Sequence, residues 1–133
     1  MSNSTYLLDT CTLINLLNRK VSVGDKIISV GSEHCAMSVI SLYELYYGAY
    51  NAPEKYRATE LQKISFLLKQ FDVIPLPHTS DFAQIKKRLE NAGEPIGDAD
   101  VMIAATAYVH NMTLVTNNVK HFCRIGNIQV ESW

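Results

Sequence analysis

The chain has 133 residues, of which 47% are hydrophobic and 19% charged, and its 12 basic and 13 acidic side chains leave a formal net charge of −1. That length suits one domain over residues 1–133 with a core that needs no disulfide or metal staple, and the composition excludes disordered, collagen-like and low-complexity chains. The near-zero charge balance also excludes a protein held to nucleic acid by bulk positive charge, so any such contact must come from a local site.

Tyr6-Leu7-Leu8 is a short apolar run that meets Asp9-Thr10, after which Leu13, Ile14, Leu16 and Leu17 recur at helical spacing. This reads as a strand running into a helix. A short helix is expected from Asp25 to Val30, and a second buried strand from Cys35 to Ile40. Ser41 then opens a helix carrying Leu42, Leu45, Tyr46 and Ala49, and Tyr56 to Phe71 forms a longer amphipathic one. Val73 to Pro77 is a third strand, ended by its prolines. Phe82, Ile85 and Leu89 mark a helix that stops near Gly93. A loop through Gly97 follows, and Asp98 or Asp100 starts a small-residue helix through Val109. Thr113 to Thr116 is a fourth strand, Asn117 to Phe122 a helical turn, and Ile128 to Val130 a last strand. Strands alternating with helices predict an α/β fold with a small, mainly parallel sheet flanked by helices on both faces.

Cys11, Cys35 and Cys123 have no paired spacing, and the four histidines do not join them in a zinc-ligand pattern. The opening Met1-Ser2-Asn3-Ser4 lacks a basic segment followed by an apolar one, and no apolar run approaches the roughly 20 residues of a membrane helix. These features predict a cytoplasmic chain with reduced thiols and no membrane contact.

The polar residues carry the functional signal through their position. Asp9 follows the first strand, Glu44 lies in the first turn after the second, and Asn117-Asn118 follows Thr116 at the end of the fourth. In an open parallel sheet these places fall on the carboxyl edge, where such folds bind ligands. Asp98 and Asp100 begin a helix able to reach the same edge. Carboxylates gathered in one crevice repel one another unless protons or a cation intervene. Oxygen donors without a thiolate or histidine partner favour Mg2+ or Mn2+ over zinc. Each residue has a structural reading as well. Ser41-Leu42-Tyr43-Glu44 matches a capping box, Asp9 and Asp98 suit helix caps, and Asn118 suits a turn. Asp100 is harder to explain so, because Val101-Met102-Ile103-Ala104-Ala105 directly after it is apolar.

Other features are less specific. Tyr43, Tyr46, Tyr47 and Tyr50 form a tyrosine-rich stretch that fits a half-buried helix face, a protein interface or a base-stacking platform. Lys86-Lys87-Arg88 is a basic run that bears on function only if it flanks the acidic crevice. No Gly-rich phosphate loop and no nucleophile elbow are present.

Three segments, Tyr6-Leu7-Leu8-Asp9-Thr10-Cys11, Ser41-Leu42-Tyr43-Glu44-Leu45-Tyr46-Tyr47-Gly48 and Ile96-Gly97-Asp98-Ala99-Asp100-Val101-Met102-Ile103-Ala104-Ala105, occur in the order seen in PIN-domain ribonucleases. Val115-Thr116-Asn117-Asn118-Val119-Lys120-His121-Phe122 and the terminal Val130-Glu131-Ser132-Trp133 resemble the VapC toxins of VapBC toxin–antitoxin systems. The resemblance implies a PIN-like fold, a Mg2+-dependent endoribonuclease in which Mn2+ can substitute, a homodimer, and inhibition by a cognate VapB-like antitoxin whose C-terminal segment blocks the site. Carried over by motif, Asp9, Glu44 and Asp100 are the catalytic residues, with Asp9 and Asp100 as metal ligands. Asp98, Thr10, Ser41, Thr116 and Asn118 are supporting residues. Relatives often carry an acidic residue in the segment of Asn118 and before Phe122, where this chain has His121, so both belong to the periphery of the site.

The chemistry expected from this set is in-line attack of water on an RNA phosphodiester, leaving a 5′-phosphate and a 3′-hydroxyl, with Glu44 orienting or deprotonating the water. Two other readings compete. A phosphatase would use Asp9 as a nucleophile, but Asp9-Thr10-Cys11 lacks the second aspartate two residues on. A non-catalytic RNA- or partner-binding module would use the carboxylates only as helix caps.

Overall fold

A computed structural model describes residues 5–133; the polar stretch Met1–Ser4 lies outside the described residues. The elements in chain order are β1 (Tyr6–Leu8), α1 (Thr10–Leu17), α2 (Val21–Val30), a 3-10 turn (Ser32–His34), β2 (Cys35–Ser38), α3 (Val39–Asn51), α4 (Glu54–Gln70), β3 (Asp72–Ile74), α5 (Thr79–Asn91), α6 (Asp98–Val109), β4 (Thr113–Val115), α7 (Val119–Cys123) and β5 (Val130–Glu131). The five strands form one sheet in the order β3-β2-β1-β4-β5, and every pairing is parallel.

The register explains why both faces are covered. Leu7 pairs with Ala36 on one side and Leu114 on the other, while Leu8 pairs with Met37 and Val115. Successive strand residues point to opposite faces. Leu7, Ala36 and Leu114 therefore join the core formed with α5, α6 and α7, through Ile85, Leu89, Ile103 and Phe122. Leu8, Met37 and Val115 join the other core, with Leu13, Ile27, Leu45, Ile64 and Leu67 from α1 to α4. Strands buried on both sides read as continuous apolar runs rather than as alternation. The expected fold class is thus the one observed. On α6, Ala104, Ala105 and Ala107 are buried, and side chains this short let the helix lie close against the sheet.

Several boundaries differ from the sequence reading, each for a local reason. Strand β2 ends at Ser38 rather than Ile40, because the Ser38 hydroxyl caps α3 by accepting from the Ile40 N–H at 3.0 Å. Helix α3 therefore opens at Val39, and the capping box of Ser41 with Glu44 does not form. Gly97, not Asp98, stands at the cap position of α6, and Asp98 is the first helical residue. Helix α2 begins at Val21, four residues before Asp25. Strand β3 stops at Ile74, before the prolines. Strand β4 ends at Val115, α7 spans Val119–Cys123, and β5 falls at Val130–Glu131. Helix α5 does stop where expected. Gly93 takes φ +73° and its N–H bonds to Glu90 O, a left-handed turn that favours glycine. Among the described residues, no helix is long and apolar enough to cross a membrane.

Strand β1 lies in the middle of the sheet, so truncating its inward side chain removes contacts that no neighbour can replace. Leu7→Ala is expected to cost about 2–5 kcal/mol in equilibrium denaturation. Ile28→Ala, at a residue 82% exposed, should stay within about 0.5 kcal/mol of the parent.

Candidate functional site

Strand order places β1 between β2 and β4, so the chain crosses to one side of β1 and later to the other. The carboxyl ends of β1 and β4 therefore flank a topological switch point, the usual ligand crevice of an open parallel sheet. Leu8 is level with Met37 and Val115, so the next residue of each strand, Asp9, Ser38 and Thr116, lies on the same edge.

Asp9 is buried at 5% exposure and caps α1, its Oδ1 accepting from the Thr12 N–H at 2.8 Å. The Thr12 hydroxyl donates to Val115 O at 3.1 Å and ties α1 to β4. The Asp9 carboxylate also accepts a side-chain hydrogen bond from Thr116. Thr116 Oγ1 accepts in turn from the Asn118 N–H at 3.0 Å. Burial pushes the Asp9 carboxyl above its ordinary value of 3.8, against the Thr116 and Thr12 hydrogen bonds that pull it down, and the charge of Asp100 adds to the rise. The capping reading of Asp9 and its place in an acidic cluster thus hold together.

Glu44 reaches the edge from α3. Thr10 Oγ1 lies 2.6 Å from Glu44 Oε1 and 3.0 Å from Ser41 Oγ. One hydroxyl has one hydrogen, and the shorter, charge-assisted bond to the carboxylate takes it. Ser41, fully buried, then donates to Thr10. The chain from Ser41 through Thr10 to Glu44 fixes one carboxylate oxygen and leaves Oε2 outside it.

Asp100 comes from the first turn of α6, and its Oδ2 lies 3.1 Å from His121 Nε2 on α7. The charges of all three carboxylates act on the exposed thiol of Cys11. Cys11 is pushed above its ordinary value by burial first, then by the charges of Asp9, Asp100 and Glu44. Its thiol is held in the unreactive protonated form.

Thr10 bonds to Glu44 and Thr116 to Asp9, while Ser41 reaches Glu44 only through Thr10. Asn118 contributes its backbone: its N–H bonds to Thr116 and its C=O accepts from the His121 and Phe122 N–H groups. Asp98 turns to Lys86 at 2.7 Å in an exposed ion pair. The first residue of the basic run thus pairs beside the cluster, while Arg88 donates to Ile125 O on the opposite side of α5. The contact that sequence reasoning missed is His121 on Asp100. Its signal was the position of His121 one helical turn after Asn118, which brings it back over the carboxyl edge.

Among the described residues, no three His, Cys, Asp or Glu side chains form a ready cage for a metal ion. Mg2+ does not need one. It keeps several waters and is held by one or two carboxylates, and the buried, proton-seeking Asp9 beside Asp100 offers such a pair of hard oxygen donors.

The PIN domain family model matches residues 6–128. The chain is 31% identical over 132 residues to Ribonuclease VapC2 of Rickettsia felis, covering 96% of this chain and 97% of that protein. It is 34% identical over 131 residues to the tRNA(fMet)-specific endonuclease VapC of Salmonella typhimurium, with the same coverage. Among solved structures, VapBC2 of Rickettsia felis bound to a promoter DNA fragment superposes with a TM-score of 0.87 at 30% identity, over 97% of this chain and 98% of that one. DNA-bound VapBC of Salmonella typhimurium superposes at 0.90 and 28% identity, over 98% of both chains. Likeness of this extent runs through all three acidic segments and the whole sheet, and the chain accordingly belongs to the PIN-domain family, among its VapC proteins.

Proposed function

We propose that this chain is a metal-dependent endoribonuclease and the toxin of a toxin–antitoxin pair. The observation that carries the reading is that the sheet order brings Asp9, Glu44 and Asp100 to one carboxyl edge. Its VapC relatives, named as a ribonuclease and a tRNA endonuclease, support the reaction class. Asp9 and Asp100 would hold Mg2+, or Mn2+ in its place. Bound there, the ion supplies positive charge against a scissile phosphate and acidifies water. Glu44 supplies the base. Thr10 holds Oε1, so Oε2 is the oxygen that takes the proton of the attacking water. A shared cluster of negative charge without the ion repels the phosphodiester that it is meant to cut.

The partner follows from the same likeness. The solved relatives from Rickettsia felis and Salmonella typhimurium are VapBC complexes, and the inhibitor proposed for this chain is a VapB-like antitoxin. A groove between α1, α3 and α4 is lined by Ile14, Leu17, Leu45 and Ile64 together with Glu44, Glu60 and Lys63, and an inhibitory segment laid in it would meet Glu44. A homodimer is proposed as well, with the exposed Tyr43, Tyr47 and Tyr50 of α3 as contact candidates. The binding-module alternative draws on the Asp9 cap of α1, and turnover separates the two.

Purified, antitoxin-free chain should cut cellular RNA into discrete products with Mg2+ or Mn2+ and none with excess EDTA. Asp9→Asn and Asp100→Asn should abolish cleavage, and Glu44→Gln should slow it about 10²–10⁴-fold. An Asp100→Asn variant as fast as the parent would sink the reading, and a folded parent that binds RNA without cutting it would establish the binding module.

The raised Asp9 value has a thermodynamic consequence. A carboxyl with a folded-state value above its unfolded one contributes stability that is full below the unfolded value and is lost as pH rises through the folded value. At neutral pH the metal-free parent should therefore melt below Asp9→Asn, which keeps the cap because asparagine caps as well as aspartate. The gap should close below pH about 4. Mg2+ at 100 times its Kd should stabilise the parent by about 2.7 kcal/mol and leave Asp9→Asn unmoved. Calorimetry across pH checks both.

Sedimentation at micromolar concentration should show a dimer. A single species at 14.9 kDa would remove that part of the proposal.

A further inference from the structure

The carboxylate of Asp100 stands on the first turn of a helix with its side chain 41% exposed. A side chain so placed visits several rotamers unless something holds it. His121 Nε2 lies 3.1 Å from Asp100 Oδ2. An ionised carboxylate only accepts, so the hydrogen in this contact is on Nε2.

The ring itself is well held. Its side chain is 23% exposed, and it meets the ring of Phe122 edge-on at 5.3 Å and 89°. Phe122 is packed into the core beneath the sheet face that carries α6. The His121 N–H is bonded to Asn118 O, and the Asn118 N–H to Thr116, which also bonds Asp9. One short segment after β4 thus runs from Asp9 to Asp100: Thr116 fixes the first carboxylate and His121 the second. Those two carboxylates come from β1 and α6, elements far apart in sequence, and this segment is a direct bridge between them.

Resting on the reading of Asp100 as a metal ligand, we propose that His121 is its positioning residue. By occupying Oδ2, the Nε2–H leaves Oδ1 as the oxygen open to a divalent cation, so that Asp100 binds through one oxygen in one orientation. An acidic side chain at this place would instead add a negative charge and could not donate to Asp100. His121 donates to the carboxylate without adding a fourth carboxylate to the three. The partners of metal ligands commonly set affinity in this way, and their loss typically weakens binding about 10–100-fold.

The test is a titration of the full-length, metal-free chain with Mn2+, free ion being read by electron paramagnetic resonance and no RNA being present. His121→Ala should weaken Mn2+ binding about 10–100-fold. His121→Gln, which returns an N–H donor near the place of Nε2, should stay within about threefold of the parent. Long-range 1H–15N spectra of the metal-free parent should show a hydrogen on His121 Nε2. Melting of each metal-free variant serves as the folding control, and the glutamine variant carries the test if the alanine one unfolds. Equal Mn2+ affinity in folded His121→Ala and parent, glutamine behaving like alanine, or a neutral ring protonated only on Nδ1 would each overturn the assignment. RNA cleavage by the same proteins separates the two proposals. A parent that cuts RNA while His121→Ala binds Mn2+ normally loses the positioning role and keeps the ribonuclease reading. A parent that binds Mn2+ in a His121-dependent way yet leaves RNA intact does the reverse.

Discussion

The carboxylate of Asp9 sits where the central strand ends, almost without water, and the rest of the site is arranged around that cost. A buried carboxylate is tolerated only with donors at hand, and two come from elements that the sheet order itself brings together. The Thr12 N–H belongs to the helix that Asp9 starts. The Thr116 hydroxyl belongs to the residue that directly follows β4, the strand beside β1. Neither donor removes the penalty, since the carboxyl remains above its ordinary value. The cap of α1 and the cost of burying this carboxylate are thus one feature, and a structural cap is compatible with the functional role proposed for Asp9.

The other two carboxylates are held more cheaply because they are wetter. Glu44 is fixed through Thr10 and the buried Ser41, and Asp100 through His121. In each case a neutral donor occupies one oxygen and leaves the other free. Burial raises the Cys11 thiol first, and the charges of all three carboxylates add to the rise. Under the proposed reading, a crevice that would bind a cation accounts for such an arrangement better than helix caps alone.

What could be read from the sequence follows from the same physics. Strands buried on both faces leave unbroken apolar runs, so Tyr6-Leu7-Leu8, Cys35-Ala36-Met37 and Thr113-Leu114-Val115 were visible, and with them the carboxyl edge. Asp9, Glu44 and Asp100 could be placed near one another by topology. Caps were less legible. Ser38 and Ser41 lie three residues apart, both precede an apolar helix, and local pattern favoured the one with Glu44 three residues on. The tertiary bond from Thr10 claimed Glu44 for the site, and Ser38 took the cap. Likewise Asp98 has the right chemistry for a cap, but the backbone turns one residue earlier, at Gly97, and Lys86 takes its carboxylate. The His121 contact was beyond local pattern altogether, because it joins residues 21 apart through a five-residue helix whose direction depends on packing Phe122.

The near-neutral charge of the chain bears on the order of events at such a site. With a net charge of −1 and three carboxylates at the crevice, the bare edge offers a polyanion no attraction, and steering from a distance is weak. The cation beside the cluster, Lys86, is committed to Asp98, and Arg88 faces away to Ile125 O. Under the proposed reading, Asp9 and Asp100 would hold the divalent ion before RNA approaches, because its positive charge would offset the negative charge of the three carboxylates. The Thr10 and His121 donors suit that order, for each holds one oxygen of Glu44 or Asp100 and leaves the other outside the contact while no phosphate is present.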